Sequence, residues 1–105
     1  MMRRLAGIAC LLLMASGVSA AGDPKAGRAK SESCLGCHGI PDYNNVYPTY
    51  HVPRLAGQHA DYIVAALKEY RNGNRHHPTM TPQAQSLSDQ DMADIAAFWE
   101  SLGKQ

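Results

Sequence analysis

Cys34-Leu35-Gly36-Cys37-His38-Gly39 decides how the rest of the chain is read. Two thiols are separated by two residues, and an imidazole follows the second thiol directly. A disulfide between such near neighbours would close a very small loop and stabilise little. A zinc site would need about four Cys or His ligands, and this pair supplies only two thiols. A thioredoxin-like redox pair expects a βαβ setting and leaves the adjacent histidine without a role.

The chain around this stretch is small. The sequence has 105 residues, and its first twenty read as an export signal. Arg3 and Arg4 precede an apolar run from Leu5 to Val18, within the range of a signal-peptide core and short of the ~20 residues a spanning helix needs. Val18, Ser19 and Ala20 offer small residues for cleavage, expected after Ala20. Cys10 does not mark a lipoprotein, since Gly7 stands three residues before it and the apolar run continues past it. Residues 21–105 then form one domain. Losing Arg3 and Arg4 leaves eight Lys and Arg against nine Asp and Glu, a net charge near −1. No basic patch points to nucleic acid, and no later apolar run is long enough to insert stably in a membrane. A domain this short sits near the lower limit of self-sufficient cores and calls for a staple.

Helical periodicity accounts for most of the domain. Asp23-Pro24 reads as an N-cap with proline in the first turn, opening a helix to about Ser33. The stretch from Ile40 to Gly57 reads as a loop, with three prolines and the tyrosines Tyr43, Tyr47 and Tyr50. A loop of that length needs something to organise it. Tyr62, Ile63, Ala66, Leu67 and Tyr70 give one apolar face to a helix over 59–71, which Gly73 ends. A second polar loop, 72–87, carries His76, His77, Pro78, Met80 and Pro82. Ser88 and Asp91 predict a capping box for a last helix, with Met92, Ile95, Ala96, Trp99 and Leu102 as its buried stripe and Gly103 as its stop. The expected fold class is all-α, with three or four helices wrapped around one covalently bound group.

Heme attachment gives a role to both thiols and to the histidine of the opening stretch. Cys34 and Cys37 can add across the two vinyl groups of heme, and His38 can then bind the iron from one face. The covalent heme c is also the missing staple: a large apolar disc at the centre of a small domain. Candidates for the sixth ligand are Met80, Met92, His51, His59, His76 and His77, with an open position as the remaining case. Met92 lies on a helical stripe and reads as core filler. Met80 stands in a polar loop between Thr79 and Thr81, flanked by Pro78 and Pro82, where helix packing gives no reason for an apolar residue. It is the expected ligand.

With these residues the chain resembles the class I c-type cytochromes, and most closely their short bacterial periplasmic monoheme branch. The resemblance runs through Cys34 to Gly39, Pro53-Arg54-Leu55-Ala56-Gly57-Gln58, Tyr62-Ile63 with Leu67 and Tyr70, Gly73-Asn74-Arg75 before Met80, and Leu87 to Ala96. It implies that His38 and Met80 ligate the iron. It implies that the Pro53 carbonyl accepts a hydrogen bond from His38 and that Leu55 packs on the heme. It also implies that Gly27 lets the first helix cross the last one closely, near Trp99. The function implied is single-electron transfer in the periplasm, between redox partner proteins, without catalysis. The alternatives are a ligand-binding or peroxidase-like heme protein with an open site, and an electron-feeding subunit of a larger dehydrogenase.

Overall fold

The computed structural model describes residues 22–46 and 49–104. The expected export signal, Cys10, Tyr47 and Pro48 lie outside them. Five short helices and one pair of strands make up the described chain: α1 (Pro24–Lys30), α2 (Glu32–His38), β1 (Asn44–Val46), β2 (Thr49–His51), α3 (Ala60–Asn72), α4 (Met80–Gln85) and α5 (Asp89–Ser101). A 3₁₀ turn, Leu102–Lys104, follows. Among the described residues no helix is long and apolar enough to cross a membrane.

The expected first helix is two. Asp23 caps α1 as predicted, its carboxylate accepting from the Lys25 N–H at 3.0 Å. The helix then breaks at Ser31, which is fully buried. The Ser31 hydroxyl donates to the Gly27 carbonyl at 2.6 Å. A side chain that takes a helical carbonyl competes with the ladder and bends it. The Ser31 carbonyl accepts from the N–H groups of both Cys34 and Leu35 at 2.9 Å, and so starts α2 in a new direction.

The buried core comprises Ile63 and Leu67 of α3, Ala84 of α4, and Met92, Ile95, Ala96, Phe98 and Trp99 of α5. The stripe predicted for the last helix is therefore the wall on which α1 and α3 rest, with Phe98 added to it. Ser88 and Asp91 form the predicted capping box, each side chain bonded to the other's backbone N–H at 3.0 Å. Gly103 does not stop this helix. The α-helix ends at Ser101, and Gly103 packs on Gly57 so closely that a Cβ on it would stand 2.2 Å from the Gly57 Cα. Gly57 has φ +82°, and its N–H donates to the Trp99 carbonyl at 2.9 Å. The end of the described chain is thereby pinned to the loop that carries Pro53 and Leu55.

Gly27 faces α5. A Cβ there would lie 1.8 Å from the Asp94 carbonyl oxygen and 2.9 Å from the Phe98 Cβ, so the two backbones touch. Beside this crossing lies Asp94, whose side chain is 5% exposed. Its carboxylate accepts from the Asp23 N–H (2.8 Å), the Lys30 ammonium (2.6 Å) and the Gln90 amide (2.8 Å). A buried charge is tolerated when it is paired and hydrogen-bonded in this way. Lys30 also reaches Asp91 at 2.9 Å. Hydrogen bonding to the Lys30 ammonium holds the Asp94 carboxyl below its ordinary range. Hydrogen bonds from Ser88 and then from Lys30 bring Asp91 down to about 2. The same carboxylates raise Lys30.

These directions fix a pH dependence. A lowered acid contributes stability that is present above its unfolded value and lost as pH falls through its folded value. The raised lysine contributes below its ordinary value and loses its share at strongly alkaline pH. Lys30→Met is expected to lower the thermal midpoint most at neutral pH. The gap from the parent should close between about pH 4 and pH 2, and again above the ordinary lysine value. Melting curves of both proteins across pH check this. A gap that is constant down to pH 2 would show that the cluster does not clamp α1 to α5.

Candidate functional site

Cys34, Cys37 and His38 all lie on α2, a helix with no fully buried residue. Cys34 and Cys37 are not bridged to each other. Burial pushes the Cys34 thiol above its ordinary value, the reverse of the depressed values that activate catalytic cysteines. No group of three or more His, Cys, Asp or Glu residues is placed to hold a metal ion among the described residues.

His38 is oriented from a distance. Its Nδ1 lies 2.7 Å from the Pro53 carbonyl oxygen. A carbonyl can only accept, so Nδ1 donates to it and Nε2 is the nitrogen left to bind a metal. Trp99 supports the ring from α5, edge-on with centroids 6.5 Å apart. Fixing one ring nitrogen to set the other for a metal is the usual outer support of a histidine ligand.

His38 and Met80 line the same cavity of about 380 Å³. Cys37, Pro53, Leu55, Ile63 and Leu67 also line it, with Val52, Tyr50, His77 and Thr79. A second cavity of about 110 Å³ shares His38, Leu55 and Met80 and adds Cys34 and Ile95. Together they span the space between α2, the hairpin, α3 and α4. The size suits a cofactor, and the walls fit heme: two unbridged thiols on one edge, an imidazole with a free nitrogen, a thioether, and otherwise largely apolar sides. Cys34, Cys37 and His38 could hold such a group on one face and Met80 on the other.

Met80 is not in a loop, as the sequence reading had it. It is the first residue of α4. The thioether therefore projects from the start of a short helix, whose Thr81 and Ala84 are buried. The loop expected over 40–57 also has structure. β1 and β2 pair antiparallel, with Asn45 opposite Tyr50. The Val52 N–H extends the pairing to the Tyr43 carbonyl at 2.9 Å. Of the other candidate ligands, Met92 is wholly buried in the core, while His51, His59 and His76 are exposed. His77 is half-buried, with its Nδ1 engaged by the N–H groups of Thr79 (3.1 Å) and Met80 (3.3 Å).

Two supporting residues escaped the sequence reading. Glu100 of α5 accepts from the N–H of Ala60 and so caps α3, whose own N-cap residue, His59, forms no side-chain cap. Asp94 ties the start of α1 to α5. Neither tie carries a local signal, because Asp23 is 71 residues from Asp94 and Ala60 is 40 from Glu100 in sequence.

Residues 25–103 match the family model described as cytochrome c. The chain is 46% identical over 84 residues to cytochrome c-554(548) of Halomonas halodenitrificans, covering 77% of this chain and 98% of that protein. It is 44% identical over 84 residues to cytochrome c4 of Thiocapsa roseopersicina, covering 79% of this chain and 42% of that one. The crystal structure of reduced recombinant cytochrome c4 from Pseudomonas stutzeri superposes with a TM-score of 0.55 at 26% identity, over 78% of this chain and 50% of that chain. The chain thus spans nearly the whole of the first relative and half or less of the c4 proteins. Motif, cavity and relatives agree: the chain belongs to the cytochrome c family and is an electron carrier built around a covalently bound heme c.

Proposed function

We propose that this is a periplasmic single-heme electron carrier, with His38 and Met80 as axial ligands and Cys34 and Cys37 as attachment points. The observation that carries the reading is the pairing of His38, its ring held through Nδ1 by Pro53, with Met80 on the walls of one cavity. Heme c, when bound, supplies an iron that cycles between Fe(II) and Fe(III). The chain's residues do the rest. His38 offers Nε2 and keeps its orientation through the cycle. The Met80 thioether favours the reduced iron and raises the potential relative to a second imidazole. Leu55, Ile63 and Leu67 exclude water, which disfavours the more highly charged ferric state. With His38 and Met80 holding the iron, neither oxygen nor substrate would find an open position on it.

Electrons would pass at the edge beside α2. Leu35 is 38% exposed and Ile40 48%. An apolar rim of this kind suits a small, short-lived redox encounter. The charge near −1 of residues 21–105 gives little steering.

The oxidised protein is expected to show the weak red absorption band of methionine-to-iron(III) ligation. A high-spin spectrum without that band would favour the open-site alternative. The intact mass of the protein recovered from the periplasm is expected to be that of residues 21–105 plus one heme. A bare polypeptide mass would sink the assignment of Cys34 and Cys37, and a mass retaining residues 1–20 would sink the signal cleavage.

A further inference from the structure

The start of α4 is held by groups that core packing does not require. α4 has six residues, too few to hold its own ladder in water. Its first N–H groups need outside acceptors. Thr79, the residue before it, offers no side-chain cap. Its hydroxyl is turned instead to the Tyr50 hydroxyl, 2.6 Å away. The acceptor is the Nδ1 atom of His77, which takes the N–H of Thr79 at 3.1 Å and of Met80 at 3.3 Å. The backbone of His77 is fixed in turn, its N–H donating to the Thr81 hydroxyl and its carbonyl accepting from the Thr81 N–H, both at 3.0 Å. Tyr50 also braces the imidazole, edge-on at 88° with centroids 4.6 Å apart. A residue of the hairpin thus clamps the ring that clamps Met80.

We propose that His77, braced by Tyr50, is a positioning residue: it presets the backbone of Met80 and thereby sets how readily another ligand displaces the methionine sulfur from the iron. This rests on Met80 being the sixth ligand. A competing ligand must push the first turn of α4 away from the iron. That movement breaks the bonds to Nδ1, so the cap resists exchange without touching the iron.

The test uses the ferric, heme-loaded protein, with imidazole as the competing ligand and the red band as the second readout. His77→Ala is expected to bind imidazole about fivefold more tightly than the parent, the factor for losing one helix cap of ordinary strength, and to weaken the band. His77→Asn should stay near the parent, because an asparagine side chain can take over as cap. Tyr50→Phe, which keeps the ring but frees Thr79, should gain about threefold. Placed in a Met80→Ala background, His77→Ala should change imidazole affinity by less than about twofold. Parent-like affinity in His77→Ala would overturn the proposal. So would an equal gain in the Met80→Ala background, since His77 would then act by blocking the cavity. If His77→Ala does not load heme, parent-like affinity in Tyr50→Phe overturns the proposal instead. Failure of Met80→Ala itself to open the iron would sink the ligand assignment, a result separable from all of these.

Discussion

Met80→Ala protein is expected to keep its covalent heme, lose the red band, and bind added cyanide or carbon monoxide that the parent excludes. The two cysteines assigned to attachment and His38 all lie on α2, and the substitution touches none of them. What goes is the sulfur on the opposite wall. The side chain is only partly buried and packs at the margin of the core, so the fold should survive its loss. The reduction potential should fall by on the order of a hundred millivolts, a fraction of the ~0.8 V over which axial ligands move heme potentials. The direction follows from losing a ligand that favours Fe(II). A variant that stayed closed to both ligands and kept its potential would remove Met80 from the site.

Gly27→Ala should destabilise the protein by about 2–4 kcal/mol, and the sign is the informative part. In a helix with room to spare, replacing glycine by alanine stabilises by roughly 0.5–1 kcal/mol. Here the added Cβ would meet the Asp94 carbonyl oxygen at 1.8 Å and its carbon at 2.4 Å. Those are backbone atoms of a packed helix and cannot turn aside. α1 must lift from α5, which strains the bonds to Asp94 from Asp23 and Lys30 as well. In a domain of this size the expected fall in melting temperature is roughly 10–30 °C. Thermal melts of the heme-loaded proteins decide it, and a variant melting at or above the parent would show that the crossing is looser than described.

The parts of the fold that could be read from sequence were those written locally. Asp23-Pro24 and the box of Ser88 and Asp91 mark helix starts within four residues. The face of Ile63 and Leu67 and the stripe of Met92, Ile95, Ala96 and Trp99 follow from spacing alone. The closeness implied for Gly27 is present, against Asp94 and Phe98. The features that were missed depend on partners brought in by the fold. Ser31 breaks the first helix because its hydroxyl finds a carbonyl four residues back, where a continuous helix is equally consistent with composition. Met80 looks like a loop residue because Pro78 and Pro82 bracket it. Yet a proline in the first turn of a helix costs no hydrogen bond, and the histidine that caps this turn is not among the usual capping residues. The strands Asn44–Val46 and Thr49–His51 are only three residues each, too short for alternation to stand out.

The placement of the candidate ligands along the chain sets an order of events during biogenesis. Cys34, Cys37 and His38 fall within about one turn of a single helix and can be presented together by a short stretch of unfolded chain. Met80 is 42 residues further on, and reaches the same space only after α3 and α4 have docked. On this arrangement capture of heme at the two thiols would need only the local segment, and binding by the Met80 sulfur would need the docked fold.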